Sequence, residues 1–355
     1  MKTKYIPILR WKQGERVALS NLSNAGRLDV TPHLVLLQGQ YGDTKIPKQA
    51  KAPPKTPPKV PPAPASDVFA KQIADAWGST KCYLDAADLP GTAMAHHLDN
   101  IMASALAVGL HIVPSIKTTN APPSYQAAVA RMIQAHKLGA ALRISLSDLT
   151  TMPTWIGSWF CPAHETDLII DLANSAANVL ALGASALQAF ANLHQPASWR
   201  SITLAGGNIP AMLSGYTIGL TPLPRAELNL WNALKAGGVG YNLDFGDYAT
   251  IGPDASTDEI PGPVPINAKY TLPSTFAVFH GVKTKGPGSI DRGLQYQNYA
   301  GQIAAMPNRG AMPHCWGDAM IDLVNSGPPA SPGSPTSWVS FSVNRHIELT
   351  RYQLP

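Results

Sequence analysis

Charged side chains follow short apolar runs at regular intervals along this chain, and their types suit them to chemistry. Carboxylates serve as general acids and bases or hold a divalent metal. The predicted acid/base or metal groups are Glu15, Asp85, Asp171 and Asp244. Lysine and arginine bind anions through charge-assisted hydrogen bonds. The predicted anion-binding residues are Lys12, Lys117 and Arg143.

The same charges also have a structural interpretation. Burying an ion costs roughly several kcal/mol unless it finds a partner, and the two sets nearly balance in number. In this interpretation Arg143 and Asp171 neutralise each other inside the fold. In the functional interpretation they belong to a ligand site, and the sequence leaves both open.

Two turns that contain glycine predict a phosphate site. Gly206 and Gly207 follow one apolar run, Asp247 follows the next, and Arg225 opens the helical stretch between the two runs. Glycine lets backbone N–H groups approach an anion closely because it has no Cβ. Asp247 would repel a phosphate unless Arg225 or a metal ion lies between them.

No motif in the chain identifies a cofactor. It contains no P-loop, no GxGxxG after a strand, no GxSxG and no HExxH. Cys161 and His164 have the spacing of metal ligands, but no second pair completes a zinc site. The cofactor is therefore left unknown, with a divalent metal ion as the option that the carboxylates allow.

Eight apolar runs that alternate with helical stretches predict the elements that position these residues. The predicted strands are Tyr5 to Trp11, Thr31 to Leu37, Lys81 to Ala86, His111 to Ile116, Ala141 to Ser145, Asp167 to Leu172, Ser201 to Ala205 and Val239 to Phe245. Eight strand–helix units favour a closed (β/α)8 barrel of the TIM type, in which chemistry occurs at the C-terminal ends of the strands. We expect one barrel domain over residues 1–355, with Asn242 and Asp244 on one face of the eighth strand.

Two insertions are predicted on the C-terminal face. Residues 43–65 contain five lysines, eight prolines and one aspartate, which predicts a mobile arm with an extended, polyproline-like backbone. Residues 250–290 follow the eighth strand and include a predicted β-hairpin. The arm contributes +4 of the net charge of +5, so the body is nearly neutral and bulk nucleic-acid binding is not favoured. The arm is either a solvated linker or a docking peptide for a protein partner.

Three cysteines, Cys82, Cys161 and Cys315, do not make a disulfide framework in a chain of 355 residues. No apolar run is long enough to span a membrane, and the first predicted strand begins close to Met1 without a signal-peptide pattern. The sequence therefore predicts a cytoplasmic protein and does not indicate an oligomeric state.

Several segments resemble the phage and prophage "beta protein" family. They are YIPILRWKQGERVALSNLS at the start, then PRAELNLW, FGDY, WGDAMI and the closing NRHI. The resemblance implies a barrel-like fold and a setting in phages, prophages and bacterial defence neighbourhoods, without an agreed activity. It adds weight to the positions Lys12, Glu15, Arg225, Glu227, Asp247, Asp318, Asn344 and His346. The Lys/Pro-rich arm departs from the family's shorter loop.

Together these features predict binding, with hydrolysis as an open option, of an anionic phosphorylated or nucleotide-like ligand during phage–host conflict. His346 is counted among the ligand-binding residues, and an Asp318–His346 pair is expected either to tune this histidine or to seal the fold. The alternative is a sensor or regulator without enzymatic activity, which binds a protein partner through the arm and the C-terminal face.

Overall fold

The computed structural model of this protein describes residues 3–37, 41, 64–89, 96–117, 121–253, 265–328 and 332–355. The arm predicted over residues 43–65 lies outside the described residues except for its last two positions. The described residues continue from Pro64, and a helix begins at Ala65.

Eight parallel strands pair in order and close into a barrel, which confirms the predicted (β/α)8 architecture. They are β1 (Tyr5–Arg10), β2 (His33–Val35), β3 (Cys82–Asp85), β4 (Ile112–Lys117), β5 (Ala140–Ile144), β6 (Thr166–Asp171), β7 (Ser201–Gly206) and β9 (Asp244–Asp247). The barrel closes between β1 and β9, where Tyr5 is in register with Phe245 and Pro7 with Asp247. The strands are almost wholly buried, as expected for a sheet covered on both faces.

Helices cover the outer wall of the barrel and bury their apolar faces against it. Phe69 and Ile73 of one helix belong to the same core as Leu84 of β3. The helices of the described chain are α1 (Gln13–Ser20), α2 (Asn24–Arg27), α3 (Ala65–Trp77), α4 (His97–Ala107), α5 (Pro123–His136), α6 (Leu146–Trp155), α7 (Ala176–Ala181), α8 (Ala184–Ala191), α9 (Ala226–Gly237), α10 (Arg292–Ala304), α11 (Trp316–Ser326) and α12 (Pro335–Gln353). None of these described helices is long and apolar enough to cross a bilayer.

A second sheet of three antiparallel strands has the order β10-β11-β8. Its strands are β8 (Gly219–Pro224), β10 (Asn267–Thr271) and β11 (Thr275–His280). The β10–β11 hairpin confirms the hairpin predicted within residues 250–290. The sequence analysis missed β8 because Pro222 and Pro224 lack the backbone N–H that an inner strand needs. β8 pairs only with β11, at the edge of the sheet, where proline is tolerated.

The last barrel strand lies later in the chain than predicted. Gly240 has a φ of +82°, in the left-handed region, which interrupts the extended backbone predicted over residues 239–245. The strand therefore begins at Asp244, and Asn242 precedes it. The prediction that Asp244 lies at the C-terminal end of this strand is wrong. Its carboxylate lies at the opposite end of the barrel, where Oδ1 accepts the backbone N–H of Lys4 at 2.9 Å.

Candidate functional site

The C-terminal ends of β3, β5 and β6 bring together three of the predicted residues, Asp85, Arg143 and Asp171. Arg143 Nε donates to Asp171 Oδ2 at 2.8 Å, and Arg143 Nη1 lies 3.7 Å from Asp85 Oδ2. All three side chains are buried. The neutralising pair of the structural interpretation is thus present, and it lies at the barrel mouth where a ligand would bind.

Tyr248, just after β9, completes this ion network. Its hydroxyl donates to Asp171 Oδ2 at 2.7 Å and accepts from Arg143 Nη2, while Asp171 Oδ1 accepts the backbone N–H of Ala173 at 2.9 Å. Burial alone would raise the pKa of Asp171, but the Arg143 charge and these hydrogen bonds bring it below its usual value. Asp171 is therefore a fixed carboxylate that orients Arg143.

Among the described residues, Asp85 has fewer hydrogen-bond partners than Asp171. Its Oδ1 accepts the backbone N–H of Ala87 at 3.1 Å. Burial raises the pKa of Asp85 above its usual value, even though the charges of Arg143 and Lys117 act to lower it. Asp85 thus holds a proton more readily than Asp171 does.

A histidine and a serine that the sequence analysis did not select lie deeper in the barrel. His33 Nε2 of β2 is 2.7 Å from Ser115 Oγ of β4, and both residues are fully buried. Burial, together with the charge of Arg143, lowers the pKa of His33 to about 3, so its ring is neutral. The period-two alternation of strand residues could have placed both side chains inside the barrel.

A cavity of about 210 Å³ opens at the barrel mouth. Arg10 and Arg143 both line it, and Asp88 contributes one carboxylate. The remaining lining side chains are apolar apart from Tyr248: Ile8, Val35, Leu37, Ile251 and Pro253. A cavity of this size, with two arginine residues in its lining, suits one small anionic group.

A larger cavity of about 370 Å³ lies where β4 and β5 end. Lys117 and Asp148 line it together with the aromatic side chains of Trp155, Trp159 and Phe160. Aromatic faces of this kind stack on planar rings. Lys117 thus lies at the edge of an aromatic cavity, while its charge also acts on Asp85 at the mouth.

Arg225, Asp247 and His346 belong to a different, fully enclosed cluster between the barrel wall and α12. His346 Nε2 lies 2.7 Å from Asp247 Oδ2, and Arg225 Nη2 donates to Thr350 Oγ1 at 2.7 Å. Tyr5 donates its hydroxyl to Asp247 Oδ1 at 2.7 Å. These residues have at most 1 % of their surface exposed, so they fasten α12 to the barrel and do not face an open cavity.

The expected Asp318–His346 pair does not form. Asp318 of α11 instead accepts from Arg345 Nη1 at 2.8 Å and from the Tyr270 hydroxyl at 2.7 Å. His346 points from the other side of α12 toward Asp247 because adjacent residues of a helix lie on different faces.

Gly206 and Gly207, at the end of β7, pack against neighbouring parts of the chain. The backbone N–H of Gly207 donates to the carbonyl of Ala173 at 2.7 Å, so it is not directed at an anion. A Cβ on Gly207 would lie 3.1 Å from the Pro253 ring, and one on Gly206 would lie 3.3 Å from the Ala176 side chain. The close approach of Gly207 to Pro253 and of Gly206 to Ala176 of α7 accounts for both glycines without a phosphate.

Lys12 and Glu15 lie at the start of α1. Lys12 is the residue that precedes the first turn and is partly exposed, whereas Glu15 is almost wholly buried. Burial raises the pKa of Glu15 to about 7, against the lowering effect of Lys12 and Arg10. Neither residue lines the mouth cavity.

Among the described residues, no group of three or more His, Cys, Asp and Glu side chains has the arrangement of a metal site. The carboxylates predicted as metal ligands are separated, with Asp244 at the far end of the barrel and Glu15 on α1.

Residues 5–350 match the family model described as Beta protein. The chain belongs to the Beta protein family. The match begins in β1 and ends within α12, so the barrel, the three-stranded sheet and the closing helix all fall within the Beta protein pattern. No curated protein and no solved structure matches the chain.

Proposed function

We propose that the barrel mouth binds a small anionic ligand whose charged group lies beside Arg10 and Arg143. The observation that carries this proposal is that both arginine residues line one cavity at the C-terminal end of the barrel. This end carries the ligand in TIM barrels, and guanidinium groups match phosphate and carboxylate oxygens in geometry. A phage or prophage setting, which the family resemblance implies, is part of the proposal.

The finer proposal is a phosphorylated, nucleotide-like ligand. The aromatic cavity beside Lys117 supports it, because Trp155 and Phe160 offer faces for a planar base. A phosphate at the mouth and a ring beside Lys117 would use the two cavities at neighbouring strand ends.

Hydrolysis of this ligand is the reaction that the mouth supports best. Asp85 would act as the general acid, since burial raises its pKa. Asp171 would hold Arg143 in place as a positioning residue, because Arg143, Tyr248 and Ala173 already occupy its oxygens.

The test measures binding of ribose 5-phosphate and of adenosine monophosphate through the shift that each causes in the melting temperature of the protein. A ligand at 100 times its Kd stabilises a protein by roughly 2.7 kcal/mol. We expect Arg10→Gln to weaken binding about tenfold or more, because a charged hydrogen bond contributes about 1.5–3 kcal/mol. Arg16→Gln is the matched control, since Arg16 lies on the outside of α1 against Trp11.

Equal affinity of the Arg10→Gln and Arg16→Gln variants for these compounds would show that the mouth is not the binding site. If neither compound, nor inorganic phosphate, shifts the melting temperature of the wild-type protein, the anionic-ligand proposal is wrong.

The alternative, binding of a protein partner, is favoured by one observation. Met212, Ile218 and Leu220 are exposed by 67 %, 69 % and 43 % in the loop that leads into β8 and in β8 itself. Exposed apolar side chains close together in the sequence are typical of protein contacts. Met212→Ser with Ile218→Ser should weaken binding of a partner identified by crosslinking, whereas Arg10→Gln should leave it unchanged.

A further inference from the structure

A cavity between β10, α10 and α12 contains polar groups that the barrel mouth does not use. Its volume is about 280 Å³, and Lys269, Tyr296 and Trp338 are among its lining residues. Tyr296 is fully buried, and its hydroxyl has no hydrogen-bond partner in the part of the chain that the structure describes. Its ring stacks on Trp338 at a centroid distance of 4.7 Å, which fixes the hydroxyl in position.

Lys269 is the amine of this cavity. The residue as a whole is partly exposed, and its Nζ donates to the carbonyl oxygen of Thr250 at 2.9 Å. A neutral amine can keep this hydrogen bond and still present its lone pair to the cavity.

The surroundings of the Lys269 amine favour its neutral form. Burial lowers the pKa of Lys269 to about 8, although the charge of Glu15 acts to raise it. At pH 7.5 about a quarter of such an amine is unprotonated, compared with about one part in a thousand for an ordinary lysine with a pKa of about 10.4. The unprotonated amine is the nucleophile.

We propose that this cavity binds a small aldehyde or ketone as an imine of Lys269, with the Tyr296 hydroxyl donating a hydrogen bond to the carbonyl oxygen. The Nζ lone pair forms a bond to the carbonyl carbon, and the carbonyl oxygen takes up a proton. A second proton converts the resulting hydroxyl into water, which leaves as the carbon–oxygen bond breaks. The nitrogen loses both of its protons in the course of the reaction, which balances the two that the oxygen gains, and the product is the neutral imine. No oxidant or reductant is needed for this step.

The site is separate from the proposed anion site. Ile251 lines both cavities, but Arg10 and Arg143 line only the mouth, and Lys269 and Tyr296 line only this cavity. Arg10→Gln should therefore leave the reaction of Lys269 unchanged, so that the two proposals fail independently.

The experiment uses the full chain with propanal and sodium cyanoborohydride at pH 7.5, and it locates the reduced adducts by mass spectrometry. We expect Lys269 to react at least tenfold faster than the exposed lysines Lys71 and Lys285. Lys269→Arg should abolish this fast phase while preserving the fold. Reaction of Lys269 at the rate of Lys71 would overturn the proposal.

The role of the Tyr296 hydroxyl has its own matched pair of variants. Tyr296→Phe keeps the ring that stacks on Trp338 and removes only the hydroxyl. It should slow the reaction of Lys269 several-fold, whereas Tyr299→Phe, in a tyrosine that does not line the cavity, should not. An equal effect of the two variants would show that the hydroxyl does not contact the ligand.

Discussion

Glu227 shows how strongly burial controls single residues in this protein. It lies in the first turn of α9, where both of its carboxylate oxygens lack hydrogen-bond partners among the described residues. Arg225 Nε is 3.7 Å away, too far for a hydrogen bond. Burial therefore raises the pKa of Glu227 to about 7. The folded protein binds a proton here at pH values where the unfolded chain has already released it.

This shift predicts a pH dependence of stability. A raised folded-state pKa contributes stability that is fully present below about pH 4.5 and is lost as pH rises through about 7. The shift corresponds to roughly 3 kcal/mol. Glu227→Gln should therefore reduce the change in unfolding free energy between pH 4 and pH 8 by about that amount, measured by urea unfolding.

Glu165→Gln is the matched control, because the side chain of Glu165 is 42 % exposed. The profile of this variant shows what a Glu→Gln substitution at an exposed position does in the same measurement. Identical pH profiles for Glu227→Gln and the wild-type protein would contradict the assignment of this transition to Glu227.

At the scale of elements, α12 is held by buried polar contacts along much of its length. Arg345 contacts Asp318 of α11, His346 contacts Asp247 of β9, and Thr350 contacts Arg225. Each contact joins α12 to a different element. A shift of α12 would leave the buried Arg345 guanidinium without its Asp318 counter-ion, so this ion pair opposes displacement of the helix.

Asp318→Asn tests this attachment. It removes the carboxylate that faces the fully buried Arg345, and loss of one partner of a buried pair costs about 3–5 kcal/mol. Asp322→Asn is the control, because Asp322 is 40 % exposed in its pairs with Arg309 and His314, and such pairs contribute at most about 1 kcal/mol. Chemical denaturation of the two variants measures the difference. Similar losses would mean that α12 does not depend on this pair.

The elements also show what the sequence could and could not predict. The barrel strands were predictable because each is a short apolar run covered on both faces. β8 was not, because its two prolines are typical of a loop, and the displaced start of β9 depends on the conformation of Gly240. The contact of Tyr248 with Asp171 joins residues 77 positions apart, so no local pattern reveals it.

At the scale of the whole molecule, Asp167 at one end of the barrel and Asp85 at the other differ in how their charges are compensated. At the N-terminal end, Asp167 accepts hydrogen bonds from Lys81, Tyr83, Arg200 and Ser201, each at 2.7 Å. Burial is outweighed by Arg200 and Lys81, which hold the pKa of Asp167 well below its usual range. At the mouth, the pKa of Asp85 is raised instead. Asp167 therefore stays ionised and contributes stability, whereas Asp85 is a carboxyl that takes up a proton more readily.

The same substitution, aspartate to asparagine, at Asp167 and at Asp85 distinguishes the structural role of the first from the proposed catalytic role of the second. Asp167→Asn should destabilise the protein by about 3–5 kcal/mol, because it leaves Lys81 and Arg200 without their common counter-ion. Stability from Asp167 is present above about pH 4 and is lost as pH falls through its lowered pKa. The unfolding free energies of the wild-type protein and of this variant should therefore converge in acid.

Asp85→Asn should change the unfolding free energy little and abolish any hydrolysis of a bound phosphate ester. Urea unfolding and phosphate release measured on both variants decide the point. A large loss of stability in Asp85→Asn with activity retained would assign Asp85 to the structural network of Arg143, since a general acid cannot be replaced by an amide that has no proton to give at neutral pH.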